Sequence, residues 1–173
     1  MIEASGLRIG KLQIAQITTP TSLVYDQVSN VEFKLIKNVR IYYKTVSRHD
    51  PATGQLLRSE TDATTSRGNF RSEISWLNSQ YEITVNQYKY ARKAVEAKPI
   101  DFTISRMYFE EPAGRSRAFA EYFGNYATIE LTKKGSYRVR IDDHEDAYFY
   151  EKGKLVKILK KNALKNYTIR FIE

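Results

Sequence analysis

Tyr137-Arg138-Val139-Arg140-Ile141-Asp142 alternates without a break, with Tyr, Val and Ile at the odd positions and Arg, Arg and Asp at the even ones. Successive side chains of a strand point to opposite sides of its sheet, so the stretch reads as a strand with one dry face and one wet face. A helix would scatter the same residues around its circumference. The same period recurs in Val39-Arg40-Ile41-Tyr42-Tyr43-Lys44, in Tyr81-Glu82-Ile83-Thr84-Val85-Asn86 and in Tyr167-Thr168-Ile169-Arg170-Phe171. Tyr, Val, Ile and Thr dominate these segments, and such side chains fit a pleated, half-buried surface.

Between the strands stand Asp50-Pro51-Ala52-Thr53-Gly54, Arg67-Gly68-Asn69, Lys133-Lys134-Gly135-Ser136 and Glu151-Lys152-Gly153-Lys154, each offering residues that reverse the chain. Connections this short imply antiparallel neighbours, because a parallel crossover needs about a dozen residues or more. About ten strands are expected, near 6–17, 22–29, 31–47, 55–66, 69–77, 80–90, 126–132, 136–142, 146–151 and 155–160, with a last one at 166–172. One stretch departs from period two. Ile104, Met107 and Tyr108 fall at helical spacing after Pro99, with Asp101 as a cap and Pro112 and Gly114 as a stop, which predicts a short helix within 101–112, while Phe102, Ile104 and Tyr108 also share one parity and leave a strand as the alternative. One or two further helical turns are expected over 115–122, closed by Gly124. The expected fold is therefore mainly β: one domain over 1–173, a single curved antiparallel sheet, a half-barrel of about ten strands wrapped around a short helix, with a helical insertion near 101–122. A closed, lipocalin-like barrel is the architectural alternative.

The 173 residues suffice for one core without disulfides or metals. No cysteine is present, which excludes a disulfide framework, a thiol nucleophile and thiolate zinc sites. No apolar run approaches the roughly 18 residues of a membrane-spanning helix. Lys and Arg number 28 against 20 Asp and Glu, a net charge of +8 that favours acidic partners without naming one. The basic residues are spread along the whole chain.

Chemistry-bearing motifs are sparse. The two histidines, His49 and His144, sit in or beside turns, and no Gly-x-Ser-x-Gly elbow accompanies them. Asp142-Asp143-His144-Glu145-Asp146 lacks the glycine and distal glutamate of a calcium loop and reads as a solvated hairpin end. Glu110 and Glu111, followed by Arg115 and Arg117, read as helix termination with surface ion pairing. No glycine-rich phosphate loop opens a helix. Catalytic residues, metal ligands and cofactors are accordingly none. Thirteen Tyr, eight Phe and one Trp are present, and Tyr43, Tyr81, Tyr137 and Tyr167 share parity with aliphatic residues, which places them in a core or on a cavity wall.

A further set of strings carries a resemblance. Met107-Tyr108-Phe109-Glu110-Glu111-Pro112, Ala118-Phe119-Ala120-Glu121, Tyr148-Phe149-Tyr150-Glu151-Lys152-Gly153-Lys154-Leu155-Val156 and Tyr167-Thr168-Ile169-Arg170-Phe171, with Ile9-Gly10-Lys11-Leu12 near the start, resemble an uncharacterised family of small secreted β-rich proteins from Bacteroidetes-type bacteria. That family is distantly similar to the half-barrel lipoprotein carriers of the periplasm. The resemblance implies a periplasmic or secreted protein whose signal segment has been removed, since Met1-Ile2-Glu3-Ala4-Ser5-Gly6 has neither the charge nor the apolar stretch of one. It supplies no catalytic residue.

The expected function is that of a non-enzymatic cell-envelope protein binding a hydrophobic or lipid-like ligand, or a protein partner, on the concave sheet face. The expected liners are Val39, Ile41, Tyr43, Ile83, Val85, Val139 and Ile141, with Met107 and Tyr108 as a lid. A helix that merely fills the concavity is the plainer reading of the same residues. Two other functions stay open: a nucleic-acid or polyanion module using Arg40, Lys44, Arg138 and Arg140, and a hydrolase or isomerase with no legible site.

Overall fold

The computed structural model describes residues 1–34, 38–161 and 166–171, without the side chains of residues 33, 34, 38 and 39. Fourteen strands form one antiparallel sheet. In chain order they are β1 (Ile2–Ala4), β2 (Leu7–Thr19), β3 (Ser22–Lys34), β4 (Asn38–His49), β5 (Leu56–Thr65), β6 (Gly68–Leu77) and β7 (Gln80–Gln87), then β8 (Tyr90–Glu96), β9 (Arg117–Ala120), β10 (Asn125–Lys133), β11 (Ser136–Ile141), β12 (His144–Glu151), β13 (Lys154–Lys160) and β14 (Tyr167–Arg170). Neighbours in sequence pair with one another except β8 and β9, and β1 also pairs with β14, through Ile2 opposite Ile169. The first and last strands thus lie at the middle of the sheet, and the two free edges, β8 and β9, come from the middle of the chain.

Alternation dictates which face is dry. In β7, Tyr81, Ile83 and Val85 are buried while Glu82, Thr84 and Asn86 are exposed, and in β11 Tyr137, Val139 and Ile141 are buried. The sheet rolls so that its β9 edge lies inside the curve of the other half. Ala118 and Ala120 of β9 face one core, built from Ile2, Ile129, Val139, Tyr148, Ile158 and their neighbours. Phe119, on the opposite side of β9, joins a second core with Leu56, Ile74, Tyr81, Ile83, Val85 and Ile100. Gly124 shows how tight the insertion is: a Cβ there would lie 2.6 Å from Ile83 Cγ2 and 2.7 Å from Val85 Cγ2, and its φ of +60° suits glycine.

The inner edge does not stay bare. Phe119 N–H donates to Phe102 O, and Thr103 bridges Phe119 in parallel fashion, so the chain before β9 caps that edge. Tyr81 anchors the same segment from the sheet: its hydroxyl donates to Leu56 O at 2.7 Å and accepts from Ile100 N–H at 3.0 Å.

A meander reverses at every turn, so its turns fall alternately at two ends of the roll. The upper end carries the connections after β1, β3, β5, β7, β9, β11 and β13. The lower end carries those after β2, β4, β6, β10 and β12.

The architecture matches the expected single antiparallel sheet, which is not closed by hydrogen bonds, but several expectations are corrected. The described residues form 14 strands, not about ten. The break expected at Asn30 does not exist, since Asn30 pairs with Lys11 on one side and Tyr42 on the other, and the expected strand 31–47 is divided between β3 and β4, residues 35–37 lying outside the described residues. The expected strand at 80–90 is two, because Lys89 takes a left-handed φ of +59° and turns the chain without a glycine. The helix shrinks to a single turn, α1 (Ile104–Met107), capped by Thr103 rather than Asp101. The 115–122 segment forms strand β9: its four residues gain more by pairing with β10 and filling two cores than isolated helical turns gain alone.

Candidate ligand-binding site at the upper end of the roll

Strands β2, β3 and β4 are 13, 13 and 12 residues long, longer than the other strands, and β5 beside them has 10. They extend past the packed interior at the upper end. There Gly10, Val31, Ile41 and Thr65 lie side by side in register across the four strands. This row contributes to a groove of about 790 Å³, whose rim carries Arg8, Lys11 and Arg40. Gly10 is fitted to its place, since a Cβ there would lie 2.2 Å from Asn30 O.

Two residues further in, the next row is Leu12, Ser29, Tyr43 and Ala63. Tyr43 points into the roll and packs on Tyr122 with ring centroids 5.9 Å apart. From Tyr122 the aromatic contacts continue to Phe123 at 4.9 Å, and from Phe123 to His144 at 4.9 Å and to Tyr90 at 5.5 Å. Across the interior stand Lys160 of β13, opposite Asp146 of β12 and Tyr167 of β14. Lys160 Nζ lies 2.5 Å from Asp146 Oδ2. Their side chains remain 24% and 20% exposed although both face inward, and Tyr43, Tyr108, Tyr122 and Tyr167 are likewise only half-buried. Water still reaches these groups, which lie one row further in than the residues that line the groove.

The electrostatics follow from this half-enclosure. Burial works against the Lys160 ammonium, but the Asp146 carboxylate and the surrounding phenols outweigh it and hold its pKa well above the ordinary lysine value. Burial pushes the Tyr108 phenol up to about 12 and raises Tyr122 and Tyr167 too. The tyrosines are therefore neutral donors at physiological pH, and these groups carry one internally balanced charge pair.

Beneath these groups lies a polar layer closed to solvent. Glu121 is 3% exposed, and its Oε1 accepts from Ser47 Oγ at 3.2 Å and from Ser105 N–H at 3.2 Å. Ser47 and Ser59 hydroxyls meet at 3.0 Å, and Thr45 and Thr61 hydroxyls at 2.9 Å. Burial raises the Glu121 pKa. Among the described residues, the one basic group hydrogen-bonded to a hydroxyl in this cluster is the Glu121 carboxyl, through Ser47. Nδ1 of His49 donates to Gly54 O, His144 meets Asp143 and Phe123, and among the described residues no histidine hydrogen-bonds a serine. Burial lowers the His49 pKa to about 4, so it is neutral. Among the described residues no three His, Asp or Glu side chains are grouped to hold a metal.

The expected liners divide in two. Ile41, 36% exposed, lines the groove, Tyr43 is half-buried one row further in, and Tyr108, also half-buried, packs against the first core with its ring 6.5 Å from Tyr148 and 6.0 Å from Phe171. Ile83 and Val85 lie under Phe119 and the Gly124 turn, and Val139, Ile141 and Met107 are packed into the first core, Met107 with no exposed surface. Met107 is thus part of the filling, its carbonyl accepting from Tyr150 Oη at 2.6 Å. Val39 belongs to β4, but its side chain lies outside the described residues. Lys160, Asp146, Tyr122 and Glu121 were not expected. Lys160 and Asp146 carried a readable signal, being charged residues on the apolar parity of Ile158 and Tyr148.

The basic face proposed for a polyanion is largely self-neutralised. Arg40 pairs with Glu32, Arg138 with Glu130, and Arg140 with Glu145, while Lys44 lies opposite Asp62.

Residues 1–172 match the family described as Domain of unknown function (DUF6134). The chain belongs to that family. No curated protein and no solved structure matches the chain. Among the described residues of this DUF6134 domain, no helix is long and apolar enough to cross a membrane.

Proposed function

We propose that the protein is a non-enzymatic binding protein of the cell envelope that takes a hydrophobic or lipid-like ligand at the upper end of its rolled sheet. The observation that carries the reading is the set of inward-facing yet half-buried side chains, Tyr43, Tyr108, Tyr122, Tyr167 and Lys160, behind a groove of about 790 Å³. Val31, Ile41 and Tyr42 form an apolar strip within a lining that is otherwise polar and charged, a combination that suits an amphipathic molecule. The ligand's chain would lie along Val31 and Ile41, and its polar end would meet phenol hydroxyls and the Lys160–Asp146 pair. The rest of the concave face is filled by the chain's own segment 100–124, which confines the site to this end. The envelope setting rests on the family resemblance of the sequence.

Titration of the protein with a dansyl-labelled fatty acid tests the reading. Ile41→Lys and Tyr108→Ala are expected to weaken probe binding by about tenfold, roughly the loss of one well-buried apolar contact. Arg138→Ala, on the outer face, is expected to leave it unchanged. Equal affinity in all three variants contradicts the proposal.

A further inference from the structure

The lower end of the roll carries a second concavity with different chemistry. It measures about 350 Å³ and is lined by Lys133, Gly135, Phe149, Glu151, Lys157 and Arg170, among others. Local backbone geometry brings these groups together. The β10–β11 turn crosses β12 so closely that Tyr150 N–H donates to Gly135 O at 2.7 Å, and a Cβ on Gly135 would lie 2.5 Å from Tyr150 O. A register shift between Phe149 and Tyr150 opens the neighbouring strand pair. Lys157 lies across from Phe149, its ammonium 4.1 Å from the ring centroid, and Arg170 lies across from Lys157. Arg170 is fixed by Glu3 at 3.1 Å. Lys134 and Lys152 stand on the two adjacent turns.

This corner gathers several ammonium groups without carboxylate partners among the described residues. Elsewhere some arginines are paired, as Arg71 is with Glu60, Asp62 and Glu73 and Arg140 with Glu145 and Glu130. Among the described residues no carboxylate lies within ion-pair distance of Lys133, Lys134, Lys152 or Lys157. Glu151 is the one carboxylate in the lining. Like charges held at one corner repel one another, and an anion placed among them relieves that repulsion.

We propose that this pocket binds a phosphate ester. Several ammonium groups and one oriented guanidinium offer the donors a phosphate group needs, and the volume is at the lower end of those that take small organic ligands. Phe149 supplies an apolar wall for the carbon side of the ester. The same chemistry is presented by a soluble phosphate ester and by the headgroup of an anionic lipid. The site lies at the opposite end of the roll from the groove, and its occupancy does not depend on the function proposed above.

Two measurements on the full chain test it, calorimetric titration with glycerol phosphate and co-flotation with phosphatidylglycerol-containing vesicles against pure phosphatidylcholine ones. The expected result is binding of the ester or of the anionic vesicles, weakened by added salt. Lys157→Glu and Lys133→Glu should each reduce it by about tenfold, whereas Lys93→Glu, the same charge change on exposed β8, should alter it by less than about twofold. Binding of the ester without the vesicles marks a soluble ligand, and binding of the vesicles marks a headgroup; either result supports the site. Failure of both to bind, or equal loss in the Lys93 variant, overturns it.

Discussion

At the scale of single residues, Glu121 is the most telling side chain, a buried carboxyl with two donors on one oxygen. Its folded pKa is raised by burial, so the folded state holds its proton to higher pH than the unfolded chain does. Its contribution to stability is complete below the unfolded value near 4.5 and is lost as pH rises through the folded value. Glu145 has the opposite sign: Lys161 and Arg140 hold it down to about 2, and its contribution is lost only as pH falls through that range. Glu121→Gln removes the first effect and spares the second. The melting temperature of the variant should therefore gain on wild type as pH is raised from acid to neutral, and a difference that stays constant with pH would contradict the assignment. Met107→Ala is expected to cost about 2–5 kcal/mol in denaturant unfolding, because the residue is enclosed and its removal leaves a cavity. The buried parity of Ile83, Val139 and Ile141 was legible from alternation alone. Glu121 was not, since it follows β9 in a segment whose period is too short to declare a face.

At the scale of elements, the clearest lesson comes from β8 and β9. Strands with glycine or proline at their ends were readable, whereas Tyr88-Lys89 reverses the chain with a left-handed lysine that no composition rule marks. In β9 Ala118 and Ala120 share one face and Phe119 lies on the other beside exposed Arg117, and three consecutive apolar residues are a pattern shared by a strand buried on two sides and by a buried helix. Only the roll explains it, because β9 has a core on either side. Its insertion depends on Tyr81. Tyr81→Phe leaves Leu56 O and Ile100 N–H without their shared partner and should cost about 1–3 kcal/mol. Hydrogen exchange at Phe119 should speed up in that variant, since the capping segment loses its anchor; unchanged protection would separate Tyr81 from the cap. Gly124→Ala drives a methyl into Ile83 and Val85 at a left-handed position and should cost about 1–3 kcal/mol of stability.

At the scale of the whole molecule, one meander makes two ends with different characters. The upper end is aromatic and half-enclosed, with overhanging strands above it, and the lower end is studded with unmatched lysines. The antiparallel character was visible in the sequence through short turns and period-two alternation, which an open sheet and a closed barrel share, so the openness of the sheet was not. Nor was the position of the site. Residues on the dry parity of every strand were equal candidates, and only the way segment 100–124 fills the roll separates Ile41, Tyr43 and Tyr108, which keep exposed surface, from Ile83, Val85, Val139 and Ile141, which are buried. The most direct test of ligand binding at the upper end is native mass spectrometry of the protein incubated with a total lipid extract, followed by solvent extraction of whatever remains bound. A discrete adduct of lipid mass on wild type, absent from Ile41→Lys and retained by Met107→Ala, is the predicted result. A clean unliganded mass for wild type would contradict it and would make the half-buried tyrosines part of a solvated core.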